Sequence, residues 1–261
     1  MGKLSLLQGY LSYWLHAVNQ HSLHAPRVYE LYTQIILKDQ PQQDFEAIEA
    51  LREDLLHDKR KIRVNSPGAP SQVASSGERS IRHIARHGMS SPRFCRLLYR
   101  MARWQQARTI IELGTSLGIT TLYLAAACPK ARIYTFEGCR ETAEVARRHF
   151  KLLNRNNIEL IEGNIDEQLP PLISRIDQFD LAYLDANHRY APTLHYYELL
   201  RSKSHPTSVI VLDDLYWSAG MSQAWKELRQ RPEVSLSLDL FDAGLLFFHP
   251  ARQQQHHALI W

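Results

Sequence analysis

Two apolar runs of this chain end in acidic residues that could do acid–base or metal chemistry. The run F-D-L-A-Y-L is followed by Asp185 and then His188, and the run S-V-I-V-L by Asp213 and Asp214. If these runs are neighbouring parallel strands, three carboxylates converge at one edge of a sheet, which is costly unless a cation or protons compensate. A divalent ion with oxygen ligands would do so. The alternative is that these aspartates cap helices or bond to backbone or a cofactor amine.

His188 is the side chain of this region best suited to accept a proton. An imidazole with the unperturbed pKa of about 6.5 is largely neutral at pH 7. A carboxylate neighbour would raise that pKa and a divalent cation would lower it, so protonation and metal binding are linked. The alternative is a structural histidine that begins the next helix and orients Asp185.

A second informative segment is R-T-I-I-E-L-G-T-S-L-G-I-T-T at residues 108–121. Its apolar start predicts a buried parallel strand, and Gly114 and Gly118 would let the backbone pass close to a ligand at a helix start. The two glycines lie four residues apart without the G-x-G of dinucleotide sites, so the spacing favours S-adenosylmethionine (SAM) over NAD. Hydroxyl groups accompany the turn at Thr115, Ser116, Thr120 and Thr121.

Glu137 ends the next predicted strand, 25 residues after Glu112. A carboxylate at this place can accept hydrogen bonds from both hydroxyls of a ribose. Because NAD and SAM sites share this acidic residue, Glu137 alone does not choose the cofactor. The alternative to a cofactor site is a Rossmann-like unit that binds no ligand and whose glycines serve only close packing.

Apolar runs alternate with helical patterns from about residue 108 almost to the end of the chain, which predicts an α/β fold. Strands are predicted at 108–113, 132–136, 157–161, 179–184 and 207–212. Helices are predicted near 118–127, 141–154, 166–175, 190–202 and 219–230. A terminal hairpin turning near Asp242–Gly244 would add an antiparallel edge to a doubly wound, mostly parallel seven-stranded sheet.

The N-terminal part is predicted to be helical, with helices at 28–37 and 44–57 after a first amphipathic helix. We expect the apolar stripe of the first helix to pack on the core, because its polar face carries no basic cluster; a second subunit or a membrane surface are the alternatives. The segment 65–77 is rich in Gly, Pro and Ser and predicts a linker. We therefore divide the chain into a helical extension at 1–77 and a catalytic domain at 78–261. The stripe consists of Leu4, Leu7, Leu11, Trp14, Leu15 and Val18.

Composition excludes several classes of protein. The 261 residues contain no apolar run of about 18 residues, which predicts no membrane span, and three cysteines without metal-ligand spacing favour a reducing cytoplasm. The net charge of +4 is uneven, since residues 1–105 hold 15 Lys or Arg against nine Asp or Glu. A basic helical lead-in at 78–105 carries arginines at helical spacing, either as a solvated face or as a docking surface for an anionic partner such as RNA or a lipid headgroup. These are Arg79, Arg82, Arg86, Arg93, Arg96, Arg100 and Arg103.

Four motifs in order carry a resemblance to a known family: E-L-G-T-S-L-G-I-T, F-E-G, L-D-A-N-H-R-Y and V-L-D-D-L-Y-W. Together they resemble class I SAM-dependent methyltransferases, in particular the catechol O-methyltransferase-like branch and its bacterial small-molecule relatives, over roughly residues 107–250. The resemblance implies a Rossmann-like fold and SAM as the cofactor.

The resemblance also implies roles for individual residues. Glu137 matches the ribose-binding acid, and His188 falls where that branch has its catalytic base. Asp185, which also faces the cofactor, matches a metal ligand together with Asp213 and Asp214, with Mg²⁺ or another divalent cation implied. The loop around the methionine part of SAM is matched by Glu112, Gly114, Thr115, Ser116, Gly118 and Thr120, and the segment near adenine by Gly163, Asn164 and Ile165.

Two positions depart from the catechol-type pattern, which has lysine at the base position and asparagine at the third ligand. The D-x-x-H-x-Y pattern here is similar to that of bacterial sugar and macrolide O-methyltransferases. We therefore expect methyl transfer to a hydroxyl of a small molecule by a protein that could form a homodimer. The alternatives are a methyltransferase for RNA or another macromolecule, a SAM-binding protein without catalysis, and an NAD-linked oxidoreductase.

Overall fold

The predicted alternation of strands and helices is present from residue 109 onward. The computed structural model describes residues 3–39, 44–64, 77–250 and 253–261. The helices are α1 Lys3–His16, α2 Pro26–Leu31, α3 Asp44–His57, α4 Ile81–Gly88, α5 Pro92–Trp104, α6 Ile119–Ala127, α7 Arg140–Leu152, α8 Ile165–Arg175, α9 Tyr190–Arg201 and α10 Ala219–Leu228. The strands are β1 Ala17–Val18, β2 Lys61–Val64, β3 Gly77–Ser80, β4 Thr109–Leu113, β5 Arg132–Glu137, β6 Ile158–Glu162, β7 Leu181–Leu184, β8 Val209–Asp213, β9 Leu236–Asp239, β10 Ala243–Phe247 and β11 Gln255–Leu259.

The five predicted strands from 108 to 212 and the five helices that follow them are confirmed to within two residues. The predicted helix at 44–57 is α3, and the one at 28–37 is α2 continued by a π-helical turn, Tyr32–Ile36. Ser91 separates α4 from α5, where its hydroxyl accepts a hydrogen bond from the N–H of Phe94 at 3.2 Å. Local sequence signals therefore determine most element bounds.

The chain forms two compact units, which we name the central unit, Asp39–Arg175, and the terminal unit, Met1–Lys38 with Ile176–Trp261. The predicted division near residue 77 stays a prediction, and residues 65–76 of that linker lie outside the described residues. In the central unit β4, β5 and β6 run parallel in that order, and β2 and β3 form an antiparallel ribbon. Helix α6 packs on α5 and α3.

The terminal unit has the strand order β1-β11-β9-β10-β8-β7. Strands β7 and β8 are parallel, and the predicted hairpin is β9–β10, in which β10 is antiparallel to both β8 and β9. Strands β11 and β1 continue beyond β9 with parallel pairing, so the hairpin is not the edge. The central unit contributes three parallel strands and the terminal unit contributes six. The predicted number of seven strands was therefore too low. The mixed, mostly parallel α/β architecture is Rossmann-like, as expected.

The apolar stripe of α1 does not pack on the core at the positions whose side chains are described. Leu11, Trp14 and Leu15 are exposed, whereas Tyr13 on the opposite face is buried. The expectation of core packing was therefore wrong for this face. None of the helices within the described ranges has the length and hydropathy needed to cross a bilayer.

The arginines predicted to share one helical face are spread over β3, α4 and α5. Arg96 and Arg100 both pair with the carboxylate of Asp39, at 2.8 and 2.9 Å. Arg103 donates to the hydroxyl of Tyr99 at 2.9 Å. Three of these arginines therefore form ion pairs or hydrogen bonds within the central unit.

Gly118 offers a direct test of the packing at the start of α6. Its φ is +84°, and a Cβ there would lie 2.6 Å from Cε1 of Phe150 and 3.2 Å from Cβ of Ala146. Gly118→Ala should lower the free energy of unfolding by about 2–4 kcal/mol, measured by urea denaturation. Gly88→Ala is the matched control, because a Cβ there meets only Oγ of Ser116 at 3.6 Å. Equal effects of the two substitutions would contradict this account.

Candidate functional site

The glycine turn that follows β4 is closed by backbone bonds to the end of β5. The N–H groups of Gly114 and Thr115 donate to the carbonyl of Phe136 at 3.1 and 2.9 Å. Gly114 has a φ of +108° and Ser116 one of +49°, so the turn uses left-handed backbone that favours glycine at the first position. The strand register thus brings the predicted turn residues to the end of β5.

Glu137 is the centre of this strand-end cluster. Its carboxylate accepts the N–H of Ser116 at 2.8 Å and the N–H of Cys139 at 2.9 Å. Burial raises the pKa of Glu137 to about 7, although these backbone bonds act in the opposite direction. Its carbonyl accepts the N–H of Gly163 at 3.0 Å, so the predicted ribose-side and adenine-side residues are brought together.

Glu112 faces the interior of the central unit. It is fully buried, and Oε2 accepts hydrogen bonds from Thr121 at 2.5 Å and Thr135 at 2.6 Å. Thr135 also lies 2.6 Å, oxygen to oxygen, from Thr115. Sequence reasoning did not single out Thr135, although a hydroxyl in the middle of a buried strand was a signal.

The remaining predicted cofactor residues lie at helix starts. Gly118 is the N-cap of α6, and Thr120, one residue inside that helix, is buried with its hydroxyl 3.8 Å from Sγ of Cys95. Asn164 precedes α8, which Ile165 begins, and its Oδ1 accepts the N–H of Asp166 at 3.1 Å. Backbone N–H groups at helix starts suit an anionic or polar ligand group.

Strained backbone follows β7 and β8 in the terminal unit. Asn187, His188 and Asp214 have φ values of +63°, +28° and +55°. Left-handed backbone at residues other than glycine costs of order 1–3 kcal/mol each and persists only where the surroundings hold it. Ser218 does so in part, since its hydroxyl donates to the carbonyl of His188 at 3.0 Å and caps α10.

The strain turns one imidazole and two carboxylates toward a common point. Nε2 of His188 lies 3.3 Å from Oδ1 of Asp185 and 3.8 Å from Oδ2 of Asp214. One ligand atom from each of these residues lies within 4.8 Å of the others. Asp213, also predicted as a ligand, lies outside this group of three and accepts hydrogen bonds from the hydroxyl of Tyr183 and, at 2.9 Å, from the N–H of Asp214.

Burial and like charge shape the electrostatics of this cluster. Burial lowers the pKa of His188, but the hydrogen bond with Asp185 and the charges of the three aspartates outweigh it and raise that pKa to about 9. Burial, followed by the neighbouring carboxylates, raises the pKa of Asp213 well above its usual range. The pKa of Asp214 is also raised, chiefly by burial. Without a bound cation, these carboxylates therefore favour the charged imidazole over the neutral one.

These three donor groups fit a divalent cation. Two carboxylate oxygens and an imidazole nitrogen are a common mixed donor set for such ions. Nδ1 of His188 is buried and has no hydrogen-bond partner among the described residues, so Nε2 is the atom that faces the carboxylates. The same nitrogen cannot bind a cation and accept a proton at once.

Comparison with known proteins finds similarity to methyltransferases. Residues 111–215 match the family model described as a methyltransferase domain. Catechol O-methyltransferase of Niastella koreensis is 30% identical over 128 residues, which are 48% of this chain and 57% of that protein. Catechol O-methyltransferase of Mycobacterium tuberculosis is 28% identical over 159 residues, 60% of this chain and 69% of that protein. The match thus spans between half and about two thirds of these relatives.

A solved structure shares the fold over most of the chain. The O-methyltransferase of Bacillus cereus, in complex with S-adenosylhomocysteine (SAH), superposes with a TM-score of 0.57 and 20% identity. The alignment covers 84% of this chain and 96% of that one. It supports the Rossmann-like architecture.

The charged state of His188 predicts a pH-dependent stability. The pKa of His188 is about 9 in the folded state and 6.5 in the unfolded state. The protonated imidazole therefore contributes its full share of the free energy of unfolding below about pH 6.5, and this share is lost as pH rises through 9. With a chelator present, the wild-type protein should lose about 3 kcal/mol of unfolding free energy between pH 6.5 and 9.5 relative to His188→Asn. Urea denaturation across this pH range measures it, and parallel curves for both proteins would refute the assignment.

Proposed function

We propose that the chain is a class I SAM-dependent methyltransferase that transfers the methyl group of SAM to a hydroxyl of a small molecule. The observation that carries this proposal is the group of Asp185, His188 and Asp214, whose ligand atoms lie within 4.8 Å of one another. This group can deprotonate and position a hydroxyl, which is what methyl transfer requires of the protein.

Donor binding is assigned to the strand ends of the central unit. Glu137 would accept the ribose hydroxyls, and the turn from Gly114 to Ser116 would surround the methionine part. Helix starts at Gly118 and Ile165 would supply backbone N–H groups. The sulfonium already activates the methyl group, so these residues need only bind and orient the donor.

Acceptor activation is assigned to the terminal unit. His188 would take the hydroxyl proton on Nε2, because that nitrogen faces the carboxylates while Nδ1 is enclosed. For this it must first be neutral. The bonds that fix its backbone, from its own N–H to Ala186 at 2.8 Å and from Ser218 to its carbonyl, keep the ring in place.

Asp185 and Asp214 would hold the divalent cation of the proposed site. When bound, such an ion lowers the pKa of a coordinated hydroxyl and fixes its position. Its charge also offsets that of the carboxylates, which favours the neutral imidazole that a base requires. Asp213 would support the pair through Asp214, whose N–H its carboxylate accepts at 2.9 Å.

The curated relatives support a hydroxyl acceptor, since two of them are named catechol O-methyltransferase. The proposal here is broader than catechol, because histidine and not lysine stands at the base position and aspartate at the third acidic one. Phenolic, sugar and macrolide hydroxyls are the acceptor classes to be assayed first.

Turnover can be measured as SAH formation from SAM with a panel of these acceptors. His188→Gln should lower kcat about 10²-fold or more while leaving the affinity for the divalent cation within a few-fold. His205→Gln is the matched control, since His205 also pairs with an aspartate, Asp180 at 3.2 Å, in the same unit. A parallel loss of cation affinity in His188→Gln would make His188 a ligand and refute its role as base.

Cofactor affinity should depend on the ionisation of Glu137. Only the ionised carboxylate can accept both ribose hydroxyls, and its pKa is raised to about 7. Affinity for SAH, measured by calorimetry, should therefore fall up to tenfold per pH unit below about pH 7. Glu137→Gln should bind weakly with a flat profile, and Glu162→Gln, at the exposed end of β6, should behave as wild type. A flat wild-type profile would contradict the ribose assignment.

A further inference from the structure

A buried histidine of the central unit, His149, contacts the glycine turn at residues 114–118. It lies on α7 and is 7% exposed. Its Nδ1 is 2.8 Å from the carbonyl oxygen of Leu117, which belongs to that turn. A carbonyl can only accept a hydrogen bond, so Nδ1 carries a proton and is the donor. The imidazole is thus a side-chain donor for the backbone of the turn.

The protonation state of His149 is consistent with a single, directed hydrogen bond. Burial lowers the pKa of His149, although the bond with Leu117 acts in the opposite direction. A lowered pKa favours the neutral ring, which has one N–H. The bond to Leu117 therefore uses the one N–H that the neutral imidazole has.

The peptide between Leu117 and Gly118 is held at both of its ends. His149 binds its carbonyl, and its N–H, which is that of Gly118, donates to the carbonyl of Thr115 at 2.9 Å. Leu117 is fully buried, so its carbonyl has to find a donor inside the protein. The two bonds fix the orientation of this peptide, and α6 begins directly after it, at Ile119.

The residues on either side of Leu117 have left-handed backbone. The φ of Ser116 is +49° and that of Gly118 is +84°. Such backbone at a residue other than glycine persists only where its surroundings hold it. Glu137 accepts the N–H of Ser116 at 2.8 Å, and His149 donates to the next carbonyl along the chain. One carboxylate and one imidazole therefore hold consecutive residues of the turn.

Helix α7 packs on the turn with the same face that carries His149. A Cβ at Gly118 would lie 3.2 Å from Cβ of Ala146 and 2.6 Å from Cε1 of Phe150. Positions 146, 149 and 150 are neighbours on a helix surface. The hydrogen bond and the apolar contacts thus reach the turn from one side.

We propose that His149 is a positioning residue for the methyl donor, because it fixes the peptide that precedes the first N–H groups of α6. This role rests on the proposed function, in which those N–H groups serve the bound SAM. His149 acts through Leu117 and does not itself touch the donor. The orientation of one carbonyl matters here, and not the charge or the bulk of the imidazole.

Two polar substitutions separate the hydrogen bond from packing. His149→Asn keeps an N–H donor near the place of Nδ1, whereas His149→Gln has its amide near the place of Nε2 and leaves Leu117 without this donor. An unmatched buried carbonyl disfavours the turn conformation that binds the donor, so affinity for SAH should be about tenfold weaker in His149→Gln and within about threefold of wild type in His149→Asn. Calorimetry at about pH 8.5, where Glu137 is ionised, measures it. His149→Leu, which is apolar and has no donor, should match His149→Gln.

Hydrogen exchange of the ligand-free protein is a second measurement, and it does not depend on methyl transfer. The amides of residues 114–121 should exchange faster in His149→Gln and His149→Leu than in wild type. In His149→Asn they should exchange as in wild type. Both measurements are made below the temperature at which the least stable variant begins to unfold, so that they report on the folded turn.

Three results would overturn the proposal. Equal affinity and equal exchange in all four proteins would show that the bond does not position the turn. A loss in His149→Asn as large as that in His149→Gln would assign the effect to packing. Wild-type protein that binds no SAH would overturn the proposed function and, with it, the link between His149 and the donor.

Discussion

Acidic side chains at the ends of buried strands are the constraint on which both units depend. A carboxylate removed from water must receive hydrogen bonds or a counter-charge. Glu137 receives the N–H groups of Ser116 and Cys139, so the glycine turn is shaped around that carboxylate. Asp213 receives Tyr183 and the N–H of Asp214, and this bond helps to hold Asp214 in its left-handed conformation. The same burial raises the pKa values of both groups, which makes them responsive to a ligand that brings donors or positive charge. Loop shape and ligand preference therefore have one physical cause.

Much of the fold could be predicted because its strands are apolar runs between turn residues, as at β4 and β8. The pattern fails for β1 and β11. Ala17–Val18 is too short to show a period, and Q-H-H-A-L has little apolar character, so both become strands only through pairing with β11 and β9. Strand formation of this kind is a tertiary effect that no local pattern contains. Because of those two strands, the terminal hairpin lies inside the sheet, whereas its own sequence predicts an edge position.

The candidate site could be located from the sequence more readily than it could be resolved into contacts. The rule that ligands bind at the carboxyl ends of parallel strands selects Asp185, Asp213 and Asp214. This rule does not reveal that the hydroxyl of Tyr183 donates a hydrogen bond to Asp213. Tyr183 lies within a neighbouring strand, and only the folded structure brings its hydroxyl to the carboxylate. Nor can the rule give the charge of His188, which depends on distances of 3.3 and 3.8 Å to two carboxylates. Protonation and cation binding are thus alternative ways to relieve the same repulsion.

Periodicity shows which residues share a helix face, but it does not show which way that face points. In α1 the stripe of leucines and Trp14 predicts core packing, and the structure turns it outward because Gly9 and Tyr13 make the closer fit to Tyr216 and Phe241. Tyr216 is stacked on Phe241 with centroids 5.1 Å apart, so α1, the β9–β10 turn and the Asp214 loop form one packed unit. Left-handed backbone at Asp214 persists only where neighbours hold it. The contact of Gly9 in α1 with Tyr216, which comes two residues after Asp214, therefore helps to keep the acidic group in its geometry.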